Sequence, residues 1–266
     1  MPIEPLLLAE LALLGIATGF LAGLLGIGGA MIMVPFVNIV LTHRGFPAEY
    51  TVKMAVATSL ATICFTSLSA MRAHHQRGAV LWKVVAVLAP GIVVGGLLGA
   101  QISAALPGKS LGVLFAAFLA FSATQMLVDR KPAATRSLPG PAGMFGAGTV
   151  IGVVSSLVGA GGAFITVPFL TWCNVKIHNA VGTASALGFP IAVAGTIGYA
   201  WAGRDLPGMP PGALGYIYVP ALLAISAASV LVAPVGARVA HRMDIRPLRR
   251  VFAFVLYALA AYFILR

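Results

Sequence analysis

Long apolar blocks dominate the chain, and most polar positions fall in the short gaps between them. Read against their Gly, Pro and charged breaks, the blocks give embedded segments at 6–41, 54–71, 80–104, 110–128, 141–172, 180–201, 213–237 and 248–265. A helix needs about 20 apolar residues to cross about 30 Å of hydrocarbon. Six blocks suit one crossing each. The first and fifth, at 36 and 32 residues, are too long for one. The pattern predicts an all-α polytopic membrane protein with 8–10 membrane segments.

Both long blocks are interrupted at the same motif. Gly19 to Phe36 reads GFLAGLLGIGGAMIMVPF, and Gly152 to Phe169 reads GVVSSLVGAGGAFITVPF; at an offset of 133, ten of eighteen positions are identical. The match continues, with small gaps, from AVATS at 55 to AVGTA at 180, from Gly78 to Gly203, from Pro90 to Pro220 and from Phe115 to Phe252. Such self-similarity marks a repeated architecture. It predicts two membrane repeats, 1–132 and 133–266, each a broken hairpin followed by three transmembrane helices.

Loop charge decides how each long block runs. If each is a single crossing, the seventeen Lys and Arg divide about evenly between the two sides. If each folds back as a hairpin, one side collects Arg72, Arg77, Lys83, Arg130, Lys131, Arg136, Lys176, Arg238, Arg242, Arg246, Arg249 and Arg250, twelve against five. Cytoplasmic loops carry the positive excess. The rule selects re-entrant hairpins, inverted halves and both termini outside the cytoplasm, in a bacterial inner (plasma) membrane.

Composition agrees with this picture. The chain is 60% hydrophobic and 9% charged, with mean hydropathy +1.00, whereas soluble domains carry about a quarter charged residues. The net charge of +11 is spread over short loops, which argues against a nucleic-acid partner. The start, MPIEPLLLAE, lacks the basic region and cleavage site of a secretory signal, so the first helix is expected to stay. Cys64 and Cys173 lie in apolar segments at no metal-ligand spacing and read as small packing residues without a disulfide.

The glycine motif carries the candidate chemistry. In GIGG and GAGG the glycines let a helix end and turn through positive φ, freeing backbone N–H and C=O groups. In a bilayer such a break survives only where protein buries it or where it lines a polar cavity. The next helix then begins at the break, and its N-terminal amides make a ready anion site. Gly26, Gly28, Gly29 and Ala30, with Gly159, Gly161, Gly162 and Ala163, are therefore the first candidate binding residues. Glycines also serve plain helix packing in membranes; repetition of the break in both halves favours the binding role.

Thr58, Thr62, Thr66 and Ser69 form a polar stripe on one helix face, expected to point inward, with Ser59 beside it. Only Thr183 matches in the second half, with Ser185 nearby. Thr58 and Thr183 are the stronger hydroxyl candidates, Ser59 and Ser185 the weaker. Gln101 and Gln125 are amides within apolar helices and need partners there. Lys53 and Arg72 flank the stripe and read as snorkelling helix ends. His74 and His75 read as interfacial anchors, and no metal site is expected.

Five of six acids fall in loops or ends, leaving Glu10 alone within an apolar run. A buried carboxylate relay is therefore not expected, and facilitated diffusion needs none. No Walker sequence, embedded nucleophile with a base, or His-rich cluster is present, so neither an enzyme nor a cofactor is expected. A sensor or assembly subunit is the alternative outside transport, and a passive anion channel the alternative within it.

The doubled G-x-G-G-x(5)-P core at 26–35 and 159–168, with AVATS and AVGTA downstream, resembles the TauE/SafE family of membrane permeases, the sulfite exporters. The resemblance covers essentially the whole chain. It implies a transporter whose partners are the lipid bilayer and a small anion such as sulfite, sulfoacetate or another sulfonate.

Overall fold

A computed structural model describes residues 5–25, 30–128, 136–240 and 246–265. Among these, ten helices form two series of five. The first comprises α1 (Pro5–Leu25), α2 (Ala30–His43), α3 (Ala48–Gln76), α4 (Trp82–Ala105) and α5 (Gly108–Val128). The second comprises α6 (Pro141–Val158), α7 (Ala163–Trp172), α8 (Ile177–Ala202), α9 (Val219–Ala240) and α10 (Arg246–Leu265). Helices α3, α4, α5, α6 and α8 are long and apolar enough to cross a membrane. Helices α1, α9 and α10, at 21, 22 and 20 residues, match them in length. The protein is an all-α polytopic membrane protein.

One segment departs from the apolar pattern. The run expected to begin a helix at 213 instead opens with a two-stranded hairpin, β1 (Ala213–Leu214) antiparallel to β2 (Ile217–Tyr218). Pro210 and Pro211 remove amide donors just before it, and the chain turns between the strands, so the helix is delayed to Val219.

Both long blocks fold back on themselves. Arg44, just past α2, donates to Glu10 near the start of α1 at 2.8 Å. About 22 Å of α1 runs from Glu10 to Leu25, and α2 is about 21 Å long, so the arms match only if the second returns along the first. In the other half, the Arg136 amide donates to the carbonyl of Trp172, the last residue of α7, at 3.2 Å, and its guanidinium lies 4.9 Å from the Trp172 ring centre. Glu10, the lone acid of an apolar run, is thus the partner of a loop arginine. Cysteines placed at 10 and 44, in a chain lacking Cys64 and Cys173, should cross-link nearly completely through a short bismaleimide. A single crossing would hold them a membrane thickness apart and leave them unlinked.

Helices α3 and α8 form the centre. Every residue from Thr51 to Ile63 is buried, as expected of a helix surrounded by others. The start of α8 meets the end of α3: Asn179 donates to the Ala79 carbonyl at 3.3 Å, beyond the α3 C-terminus. These equivalently placed helices therefore run antiparallel.

The outer helices are exchanged between the series. Helix α4 packs most extensively on α6, and α9 on α1. Glycines make these contacts close. Cβ atoms at Gly91, Gly95 and Gly152 would overlap the carbonyl oxygens of Phe145, Thr149 and Ile92, and one at Gly99 would lie 2.6 Å from the Val153 oxygen. The α1–α9 pair repeats the device with Gly15 and Gly19 against Ile225 and Ser229. Without hydrophobic force between helices in lipid, such close backbone approach supplies the attraction.

Candidate functional site

The second glycine break is built by two left-handed residues. Helix α6 ends at Gly159 (φ +66°), whose amide donates to the Ser155 carbonyl, as does that of Ala160 at 3.1 Å. Helix α7 begins after Gly162 (φ +74°), which offers no side-chain cap. The Gly162 carbonyl accepts from Ile165 and Thr166 at 3.1 and 2.9 Å. The amides of Ala163 and Phe164 have no partner among the described residues, as first-turn donors lack intrahelical acceptors.

Two contacts place this break beside the middles of the central helices. A Cβ at Gly161 would lie 3.5 Å from Ile63, close to the centre of α3. The Gly161 carbonyl lies 3.4 Å from where a Cβ on Gly188 would sit, near the centre of α8.

Of the sequence candidates, Gly159, Gly161, Gly162 and Ala163 meet at this turn. Gly26, Gly28 and Gly29 lie outside the described residues, and Ala30 is the first residue of α2. Ser59 sits on α3 one turn from both Val56 and Ile63, the residues that touch Gly159 and Gly161. Its hydroxyl is fully buried and unpartnered among the described residues. Ser185 donates to the Val181 carbonyl of its own helix at 2.9 Å.

Thr58 and Thr183 play one matched part. The Tyr218 amide, at the start of α9, donates to Thr58 Oγ1 at 3.0 Å. The Leu81 amide, at the start of α4, donates to Thr183 Oγ1 at 3.0 Å. Each central helix therefore caps the helix that the other series contributes. Thr58→Val and Thr183→Val each strand a buried N–H, and each should cost about 1–3 kcal/mol, read as a lower melting temperature; Ser at either position should restore it. Thr66 donates only to Ile63 of its own helix, at 3.4 Å, and Thr66→Val should shift melting less.

The rest of the polar stripe divides. Thr62 is buried and donates to the Thr58 carbonyl at 2.9 Å. Ser69, expected to point inward with it, is exposed, because the last turns of α3 extend past its packed centre. Lys53 also departs from expectation: it is 4% exposed instead of snorkelling. Its ammonium donates to the Ala104 carbonyl at 2.8 Å and lies 5.6 Å from the Tyr216 ring centre. The C-terminal carbonyls of α4 need donors, and a cation suits that end of the dipole. Burial holds the Tyr216 phenol above its usual range.

Arg72 is exposed, and His75 Nδ1 accepts from Trp82 Nε1 at 3.1 Å. Both cysteines are free. Among the described residues no three His, Cys, Asp or Glu are placed to hold a metal. Gln125 is half-buried. Gln101 is exposed and lines a cleft of about 310 Å³ with Trp201, Arg204 and Asp205. That cleft lies at the far end of α8 from its N-terminus, away from the break.

Two residues at the break escaped sequence reasoning. Ser155 and Thr166 are buried, and their hydroxyls have no partner among the described residues. The signal was present in the aligned motifs, where Ser155 stands opposite Ala22 and Thr166 opposite Met33.

Comparison with known proteins agrees with this architecture. A probable membrane transporter protein of Haemophilus influenzae is 33% identical over 250 residues, covering 93% of this chain and 94% of the relative. The probable membrane transporter protein YdhB of Bacillus subtilis is 29% identical over 201 residues, covering 73% and 78%. One from Methanocaldococcus jannaschii is 24% identical over 273 residues, covering 98% and 96%. No solved structure matches. The profile of the sulfite exporter TauE/SafE family matches residues 11–263, and the chain belongs to that family of membrane transporters.

Proposed function

We propose that this protein moves a small anion, of the sulfite, sulfonate or related organic type, across the inner membrane. The substrate is held at the glycine breaks between two inverted halves, 1–132 and 133–266. One observation carries the reading: the α7 N-terminus opens beside the middles of α3 and α8 with the Ala163 and Phe164 amides unpartnered among the described residues. Helix N-termini attract anions through free N–H groups and a positive dipole end. Broken helices with such ends at the midplane are a recurrent transporter design. The antiparallel course of α3 and α8 supports inversion, and the twelve-to-five division of basic residues supports placing both termini in the periplasm. An anion leaving an inside-negative cell runs down the potential, so facilitated diffusion requires no carboxylate relay.

A thermal-shift screen of purified protein against sulfite, sulfate, thiosulfate, sulfonates and small carboxylates tests the reading, because a ligand of the folded state raises apparent stability. Stabilisation by a small anion, with saturable counterflow of it in proteoliposomes, is the expected result. Absence of both for every anion would overturn it.

A further inference from the structure

The two copies of the glycine motif differ in polarity. Ser155 is 1% exposed and Thr166 0% exposed, and neither hydroxyl has a partner among the described residues. A buried hydroxyl without a partner is costly, and two beside one helix end need a water or a ligand to engage them. Ser155 Oγ lies 3.1 Å from where a Cβ on Gly162 would sit, so it adjoins the first turn of α7. Thr166 closes the first turn of α7, its amide donating to the Gly162 carbonyl at 2.9 Å. The Gly162 Cβ position also lies 3.6 Å from Ile151, one turn before Ser155. One buried hydroxyl before the break and one in the first turn after it thus flank the unpartnered Ala163 and Phe164 amides. The first copy of the motif places Ala22 and Met33 at the equivalent positions.

Resting on the transport reading above, we infer that the second copy of the motif supplies the side-chain donors of the anion seat, and that Ser155 and Thr166 donate to a small oxyanion held on the α7 N-terminus. All four donors are neutral, and a helix end offers about half a unit of positive charge. A monoanion with several acceptor oxygens should therefore be preferred to a dianion there.

The test uses the full chain in proteoliposomes, with methanesulfonate as the fixed monoanion and sulfate as the fixed dianion. Wild-type protein should be stabilised thermally by methanesulfonate, and methanesulfonate should compete with sulfite counterflow at least ten-fold better than sulfate does. Ser155→Ala and Thr166→Val should each raise the half-saturating sulfite concentration at least ten-fold, Thr166→Ser should restore it, and Met33→Leu should leave it unchanged. Ser155→Ala removes a single oxygen, so it remains a usable variant if Thr166→Val fails to purify as a folded species. Unchanged half-saturation in folded Ser155→Ala, or equal competition by sulfate, would overturn the seat while transport itself stands. A wild-type chain that neither binds nor exchanges any of these anions would overturn both.

Discussion

Gly95→Leu should prevent the protein from being isolated as a folded, monodisperse species. A Cβ at residue 95 overlaps the Thr149 carbonyl oxygen, and the nearest atoms of Thr149 are all backbone, so no rotamer change relieves the contact. Helix α4 must then withdraw from α6 along a face that also carries Gly91 and Gly99. Overpacking a well-packed site costs about 1–3 kcal/mol when side chains can adjust; with only backbone to move, the loss should reach or exceed the top of that range. Gly146→Leu is the matched control. It lies on α6, and nothing stands within 4 Å of its Cβ position. Fluorescence-detected size exclusion and thermal melts of the two variants should differ sharply, and a Gly95→Leu protein that melts like Gly146→Leu would show the α4–α6 contact to be slack.

Gly162→Val should abolish transport, reducing initial counterflow at least ten-fold. The residue sits at φ +74°, where L-residues pay about 1–2 kcal/mol and β-branched ones more. Its Cβ would also strike the Ile191 side chain. Relaxing φ would rotate the first turn of α7 and redirect the Ala163 and Phe164 amides. Because Ile191 is flexible at its tip, the variant should still purify, and the defect should appear in flux. Gly140→Ala, at φ −62° with open space around its Cβ, should retain flux. Undiminished counterflow by Gly162→Val would separate the α7 amides from transport.

Much of this architecture was legible in the sequence because the bilayer reduces the choices. Apolar block length fixed which segments were helical, and the repeated GIGG and GAGG located the interruptions. Loop charge alone distinguished folding back from crossing, and the Arg44–Glu10 and Arg136–Trp172 contacts agree with it. The exchange of α4 and α9 was not legible. Nothing in the order of apolar blocks says which partner a helix takes, and the glycines of α4 announce close packing without naming α6. The site was legible as backbone and illegible as side chains. Thr58 and Thr183 drew attention as aligned hydroxyls, yet what each faces is an amide of a helix 160 or 102 residues away in sequence. Lys53 looked like a helix-end marker, and only the neighbouring α4 terminus explains its burial.

The exchange of α4 and α9 also bears on how the chain is made. While the first five helices are being inserted, α1 and α4 have backbone-tight faces and no helix yet synthesised to fill them. Those faces stay unfilled until α6 and α9 arrive, so a chain ended after α5 should not pack as it does in the whole protein. A half-length ancestor with these same glycine faces would have met the same need by pairing with a second copy of itself in the opposite orientation.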